Sequence, residues 1–128
     1  MTANNMVARP TWDETDLQCA TTSIGALPVA ASLVVTNSGY LSRLTAAAGG
    51  TTTGNIVVSC SINGGADITN SALTIPAGSG ARNGAVLELP VAIGTCYYVN
   101  EGDTLVFTPS AGGGSNIPGA FGAVVRNA

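Results

Sequence analysis

The groups in this sequence that could do chemistry are seven carboxylates, three cysteines and three tyrosines, and no histidine stands beside them. All four basic residues are arginines, Arg9, Arg43, Arg82 and Arg126, so lysine is absent as well. A nucleophilic Ser, Thr or Cys ordinarily needs a neighbouring base, and only Asp or Glu is left to serve as one. A glycosidase pair would have to be drawn from Asp67, Glu88, Glu101 and Asp103. Glu101 and Asp103 stand in Asn100-Glu101-Gly102-Asp103, which reads first as a turn opening a strand. Two carboxylates and an amide carbonyl are hard oxygen ligands of the kind calcium takes, but they are too few to hold it alone. Cys19, Cys60 and Cys96 are far apart in the chain, unlike the closely spaced ligand pairs of a zinc site. Their odd number reads as buried thiols rather than as a disulfide framework. Gly112-Gly113-Gly114-Ser115 lacks the Lys and the following helix of a phosphate loop and reads as a flexible connection. No catalytic residue, metal ligand or cofactor is therefore expected.

The tyrosines leave one binding chemistry open, because sugars pack on aromatic faces. In a strand, Tyr97 and Tyr98 point to opposite sides, so one joins the core and the other faces out. With Tyr40, that makes core packing the plainer reading and a sugar platform the sharper one.

Whatever these groups do, β-structure must position them. Apolar residues recur with period two and almost nowhere with period 3.6. Between Asn55 and Ile62, Ile56, Val58, Cys60 and Ile62 share one face while Asn55, Ser59 and Ser61 share the other. From Asp103 to Thr108, Leu105 and Phe107 point inward while Thr104 and Thr108 point outward. Further candidate strands cover residues 17–24, 29–36, 40–46, 72–75, 85–89, 96–99 and 120–126. Turn-forming clusters separate them, among them Asn37-Ser38-Gly39, Asn63-Gly64-Gly65 and Gly78-Ser79-Gly80. Pro28, Pro76, Pro90, Pro109 and Pro118 fall at strand ends, where a missing amide costs little. The pattern predicts an all-β chain, a sandwich or a barrel.

At 128 residues the chain is expected to form one domain. Only 9% of it is charged, against about 25% in an ordinary soluble domain. A surface so poor in charge fits a small domain packed into a larger assembly. The net charge is −3 and the arginines are scattered, so no basic stripe exists for nucleic acid. No apolar run is long enough to span a bilayer. The first ten residues lack the apolar core of a secretory signal, which predicts a soluble product of the cytoplasm.

Residues 1–16 differ from the remainder. They show no alternation, hold Asp13, Glu14 and Asp16, and carry Trp12, the sole tryptophan, beside Pro10. They read as an extended arm preceding a domain at 17–128. Either Trp12 plugs an open sheet edge of its own domain, or Val7, Arg9, Pro10 and Trp12 dock on a neighbouring subunit, Trp and Arg being common interface anchors. Arg43 and Arg82 are candidates for pairing across a subunit contact or for plain solvation.

Five segments carry a family resemblance: Gly39-Tyr40-Leu41, Ser61-Ile62-Asn63-Gly64-Gly65, Leu73-Thr74-Ile75-Pro76-Ala77, Asn100-Glu101-Gly102-Asp103-Thr104-Leu105 and Gly119-Ala120-Phe121. With them, residues 33–126 resemble the small jelly-roll proteins that bacteriophages place on the outside of their heads as cement or decoration proteins. The resemblance implies an antiparallel jelly-roll β-sandwich of about eight strands with an extended N-terminal arm. It also implies a trimer on the capsid outer surface of the virion, made in the host cytoplasm. Its partners would be further copies of itself and the major capsid protein, whose neighbouring subunits it bridges at three-fold positions, without cofactor, nucleic acid or membrane. Residues 1–16 carry no motif of that family. The alternative is a trimeric fibre tip or adhesin-like module that binds host surface carbohydrate through Tyr40, Tyr97 or Tyr98.

Overall fold

In the computed structural model, which describes residues 13–68, 71–78, 84–89, 97–110 and 116–127, the alternating segments become nine strands. These are β1 (Asp13–Thr21), β2 (Ala31–Val34), β3 (Gly39–Ala48), β4 (Ile56–Ile62), β5 (Leu73–Ile75), β6 (Gly84–Glu88), β7 (Tyr97–Val99), β8 (Thr104–Pro109) and β9 (Gly119–Asn127). One sheet has the order β1-β9-β3-β6, with the short β7 also paired to β3, and the other has the order β2-β8-β4-β5. Every pairing is antiparallel. The chain passes from one sheet to the other at every connection except β4–β5 and β6–β7, a winding in keeping with a jelly roll.

Each sheet turns one face inward. Leu105 and Phe107 of β8, Ile56, Val58 and Cys60 of β4, and Leu41 and Leu44 of β3 are fully buried. The alternation expected for residues 55–62 is observed from Ile56 to Cys60, whereas at the end of β4 Ser61 is buried and Ile62 half-buried; that expected for residues 103–108 is observed, with Leu105 and Phe107 inward. Outward positions of the second sheet bear Ser32, Val34, Val57, Ser59, Thr74 and Thr108, without a charge among them.

Turn chemistry sets the strand ends. Asn63 and Gly64 take φ of 55° and 73°, and the Gly65 N–H donates to the Ile62 carbonyl at 3.0 Å. Two successive positive φ values define a type I′ turn, which only residues such as Asn and Gly enter cheaply. In Asn100-Glu101-Gly102-Asp103, Gly102 sits at φ 94° and the Asp103 N–H donates to the Asn100 carbonyl at 2.9 Å.

Two local features depart from the sequence reading. First, β1 starts at Asp13, so residues 13–16, read as arm, form the end of an edge strand paired with residues 124–127 of β9. Paired backbone amides hold this segment, and Glu14 and Asp16 point to solvent, so no apolar side chain was needed to mark it. The strand also ends at Thr21 rather than reaching Ile24. Second, β3 carries a bulge. Val124 faces Arg43 while the next residue, Val125, faces Leu41, leaving Ser42 as the extra residue. Its hydroxyl donates to the Val124 carbonyl at 3.2 Å, and its own carbonyl accepts from the Leu89 N–H at 2.8 Å. Strict alternation would have sent either Leu44 or Leu41 outward; the bulge turns both inward and Arg43 to solvent.

Candidate functional site

The residues singled out for chemistry are dispersed. Glu88 on β6 accepts from Arg43 Nε–H at 2.8 Å, its register partner on β3, and both side chains are well exposed. Arg43 is thus paired within its own chain. Asp103 is a fastener between turns: its Oδ2 accepts the Asn100 N–H at 2.8 Å and its Oδ1 accepts from the Asn63 amide at 3.1 Å. These bonds, the backbone one foremost, hold its carboxyl below the usual range. Glu101 is exposed on the same turn, and Asp67 lies in the loop after β4, bridged to Ser61. Among the described residues no group of three or more His, Cys, Asp or Glu gathers as a metal site would require. Cys60 is fully buried as a free thiol, and burial, reinforced by the Asp67 carboxylate, pushes it up to about 12. Cys19 is a second free thiol, partly buried on β1, and burial raises it too. Val7, Arg9, Pro10, Trp12, Arg82, Cys96, Pro90 and the Gly112-Gly113-Gly114-Ser115 loop lie outside the described residues. Among the described residues no helix is long and apolar enough to cross a membrane.

Tyr97 packs against the core while Tyr98 is 52% exposed, as the alternation requires. Tyr98 is the register partner of Tyr40, and the rings meet edge to face at 5.1 Å between centroids and 78° between planes.

A patterned surface emerges only when the register of the larger sheet is followed across its outer face. One row reads Ala20, Ala120, Ala47 and Gly84, and the next reads Gln18, Gly122, Thr45 and Val86. Neither contains a charge, no side chain but Gln18 is long, and Val86 is 65% exposed. Gly122 keeps the surface flat: a Cβ there would sit 2.6 Å from Thr45 Oγ1. A shallow groove of about 260 Å³ runs through this half, floored by Thr45, Ala47, Ala85, Ala120 and Gly122.

Beyond it the character changes. The third row is Asp16, Val124, Arg43 and Glu88; past the Ser42 bulge, the fourth is Glu14, Arg126, Tyr40 and Tyr98. Arg126 Nη2 donates to Glu14 Oε2 at 3.3 Å. The face is therefore divided into an uncharged small-residue half and a charged, aromatic half. Sequence reasoning passed over the first half because small residues attract no chemical attention, although Ala120-x-Gly122 and Thr45-x-Ala47 at period two were its trace.

Comparison with known proteins gives a likeness of fold. No family model matches the sequence, and no curated protein matches it. Among solved structures, the Eiger TNF from S. frugiperda superposes with a TM-score of 0.53 over 94% of each chain, at 11% identity. Identity that low speaks for the fold alone, and the fold it supports is the antiparallel jelly-roll β-sandwich described above.

Proposed function

We propose that this chain is a structural virion protein, a decoration protein that binds the outer surface of an assembled phage head and stabilises it by bridging neighbouring major capsid subunits. The observation that carries the reading is the uncharged half of the larger sheet's outer face. Exposed low-relief surface of Ala, Gly, Thr and Val is what a lone soluble domain avoids and a protein packed in an array uses. A surface without charge also accepts its own image, whereas a charged one must find its complement. The partner assigned to this half is accordingly a second copy of the chain, within a trimer.

Attachment to the shell falls to residues 1–12, which precede the edge strand β1. Twelve extended residues reach about 40 Å, enough to leave one subunit and dock Val7, Arg9, Pro10 and Trp12 on another. Ligands that bind only the assembled state stabilise it by mass action, and repetition over a lattice multiplies a modest contact.

The test is the stoichiometry of the chain in purified particles, measured by quantitative mass spectrometry against the major shell protein. A copy number close to the shell protein's own is expected. A handful of copies would move the chain to a tail or fibre tip, and none would overturn the reading.

A further inference from the structure

The charged, aromatic half of the same face is not used by the assembly reading. Its outermost row crosses four strands in register: Glu14 on β1, Arg126 on β9, Tyr40 on β3 and Tyr98 on β7. With strands about 4.8 Å apart, the row is roughly 14 Å long. At one end stands the half-exposed ring of Tyr98, its orientation fixed by the edge-to-face contact with Tyr40. Around the edge strand from Glu14, at the strand ends, lies a polar cleft of about 540 Å³ lined by Glu14, Thr15, Asn37, Ser38 and Asn127, with Thr15 and Asn127 on the inner side of the sheet.

The cleft is ordered before any ligand arrives. Thr15 Oγ1 donates to Asn127 Oδ1 at 2.8 Å, the Asn127 amide donates to the Ser38 carbonyl at 2.8 Å, and the Asn37 amide donates to Thr15 Oγ1 at 3.3 Å. Ser38 Oγ accepts the Glu101 N–H at 2.8 Å, and its own proton has no acceptor among the described residues. Side chains held this way lose little further entropy on binding.

The geometry points to a binding site for a neutral oligosaccharide along this row. An aromatic face carries partial negative charge and takes the C–H groups of a pyranose ring, so Tyr98 supplies the stacking platform. A carboxylate and a guanidinium side by side present acceptors and donors to adjacent hydroxyls, and bonds to ionised groups are the stronger kind. Because Glu14 and Arg126 neutralise each other, the row offers no surplus charge to select an anionic ligand. For a ligand that continues past Glu14 around the edge strand, the amides and hydroxyls of the cleft extend the same pairing to further sugar units. This inference is independent of the decoration reading, which particle stoichiometry tests separately.

The experiment titrates the ¹⁵N-labelled full chain with cellohexaose, maltohexaose and chitohexaose in turn. At about 10 mM sugar, a site with Kd of about 1 mM is some nine-tenths filled. The expected result, with at least one sugar, is a shift of the Tyr40 and Tyr98 backbone amides and of the Asn37 and Asn127 side-chain amides. Tyr98→Ala should then weaken binding about tenfold or more while Tyr98→Phe stays within about twofold, and Glu14→Gln should weaken it several-fold. Absence of these shifts with all three sugars, shifts confined to the small-residue half, or unchanged affinity in Tyr98→Ala would each overturn the proposal.

Discussion

Phe107 of one sheet and Phe121 of the other stack across the sandwich, with ring centroids 5.3 Å apart and planes 8° from parallel. They are the only two phenylalanines in the chain, and both are essentially without exposure. Among the described residues the rest of the buried apolar core is Ile, Leu, Val, Ala and Cys60, and Phe107 and Phe121 are its largest side chains. Each ring also has a cysteine as register neighbour: Cys60 faces Phe107, and Cys19 faces Phe121.

Removing one ring should leave a cavity that two sheets tied by many strands cannot close. Phe121→Ala is expected to cost about 3–5 kcal/mol, a large share of a typical domain's stability. Urea unfolding followed by Trp12 fluorescence measures it; a loss below about 1 kcal/mol would show that the sheets do not depend on the stack.

Gly39 opens β3 where the chain passes against β9. A Cβ there would collide with the backbone carbonyl of Arg126 and come within 2.9 Å of Val125 Cγ1. Backbone cannot swing aside as a side chain can, so Gly39→Ala should destabilise by about 2–3 kcal/mol. Gly64 is the contrast. Its surroundings are open but its φ is 73°, so Gly64→Ala should cost about 1–2 kcal/mol from conformation alone. Equal effects in the two variants would refute the steric account of Gly39.

Cys60 should resist thiol reagents in the folded protein and react on unfolding, whereas Cys19, half-buried at the sheet edge, should react first. The same burial has a pH signature. Unfolded, the thiol ionises near 9; folded, it is held protonated up to about 12. Between those values the folded state binds the extra proton, so stability falls as pH rises, approaching about 1.4 kcal/mol per unit. Comparing wild type with Cys60→Ala isolates this slope; identical pH dependence of the two would exclude it.

On the uncharged half of the face, Ala47→Arg and Val86→Glu alter exposed outward positions of paired strands. Both should leave the melting temperature within a few degrees and shift the sedimentation profile from oligomer to monomer. Retention of the wild-type oligomer in both variants would place the contact between copies elsewhere.

The strands were legible in the sequence because period-two alternation states which residues seek the core, and the turns were legible because Asn63-Gly64 and Gly102 suit positive φ. The start of β1 was not, since residues 13–16 are held by backbone pairing to β9 and their side chains carry no apolar signature. The bulge at Ser42 left one hint, the spacing of three between Leu41 and Leu44, which alternation cannot bury together.

The candidate surfaces divide in the same way. That one of Tyr97 and Tyr98 must face solvent follows from the geometry of any strand, and the scarcity of charge follows from composition. Which residues share a row does not. Gly84, Ala47, Ala120 and Ala20 come from four strands spread over most of the chain, as do Glu14, Arg126, Tyr40 and Tyr98. Alternation along one strand is a local property, fixed by where each side chain must point. The order of strands in a sheet and their register are settled only when the two inner faces pack together, and that long-range step brought these distant residues side by side.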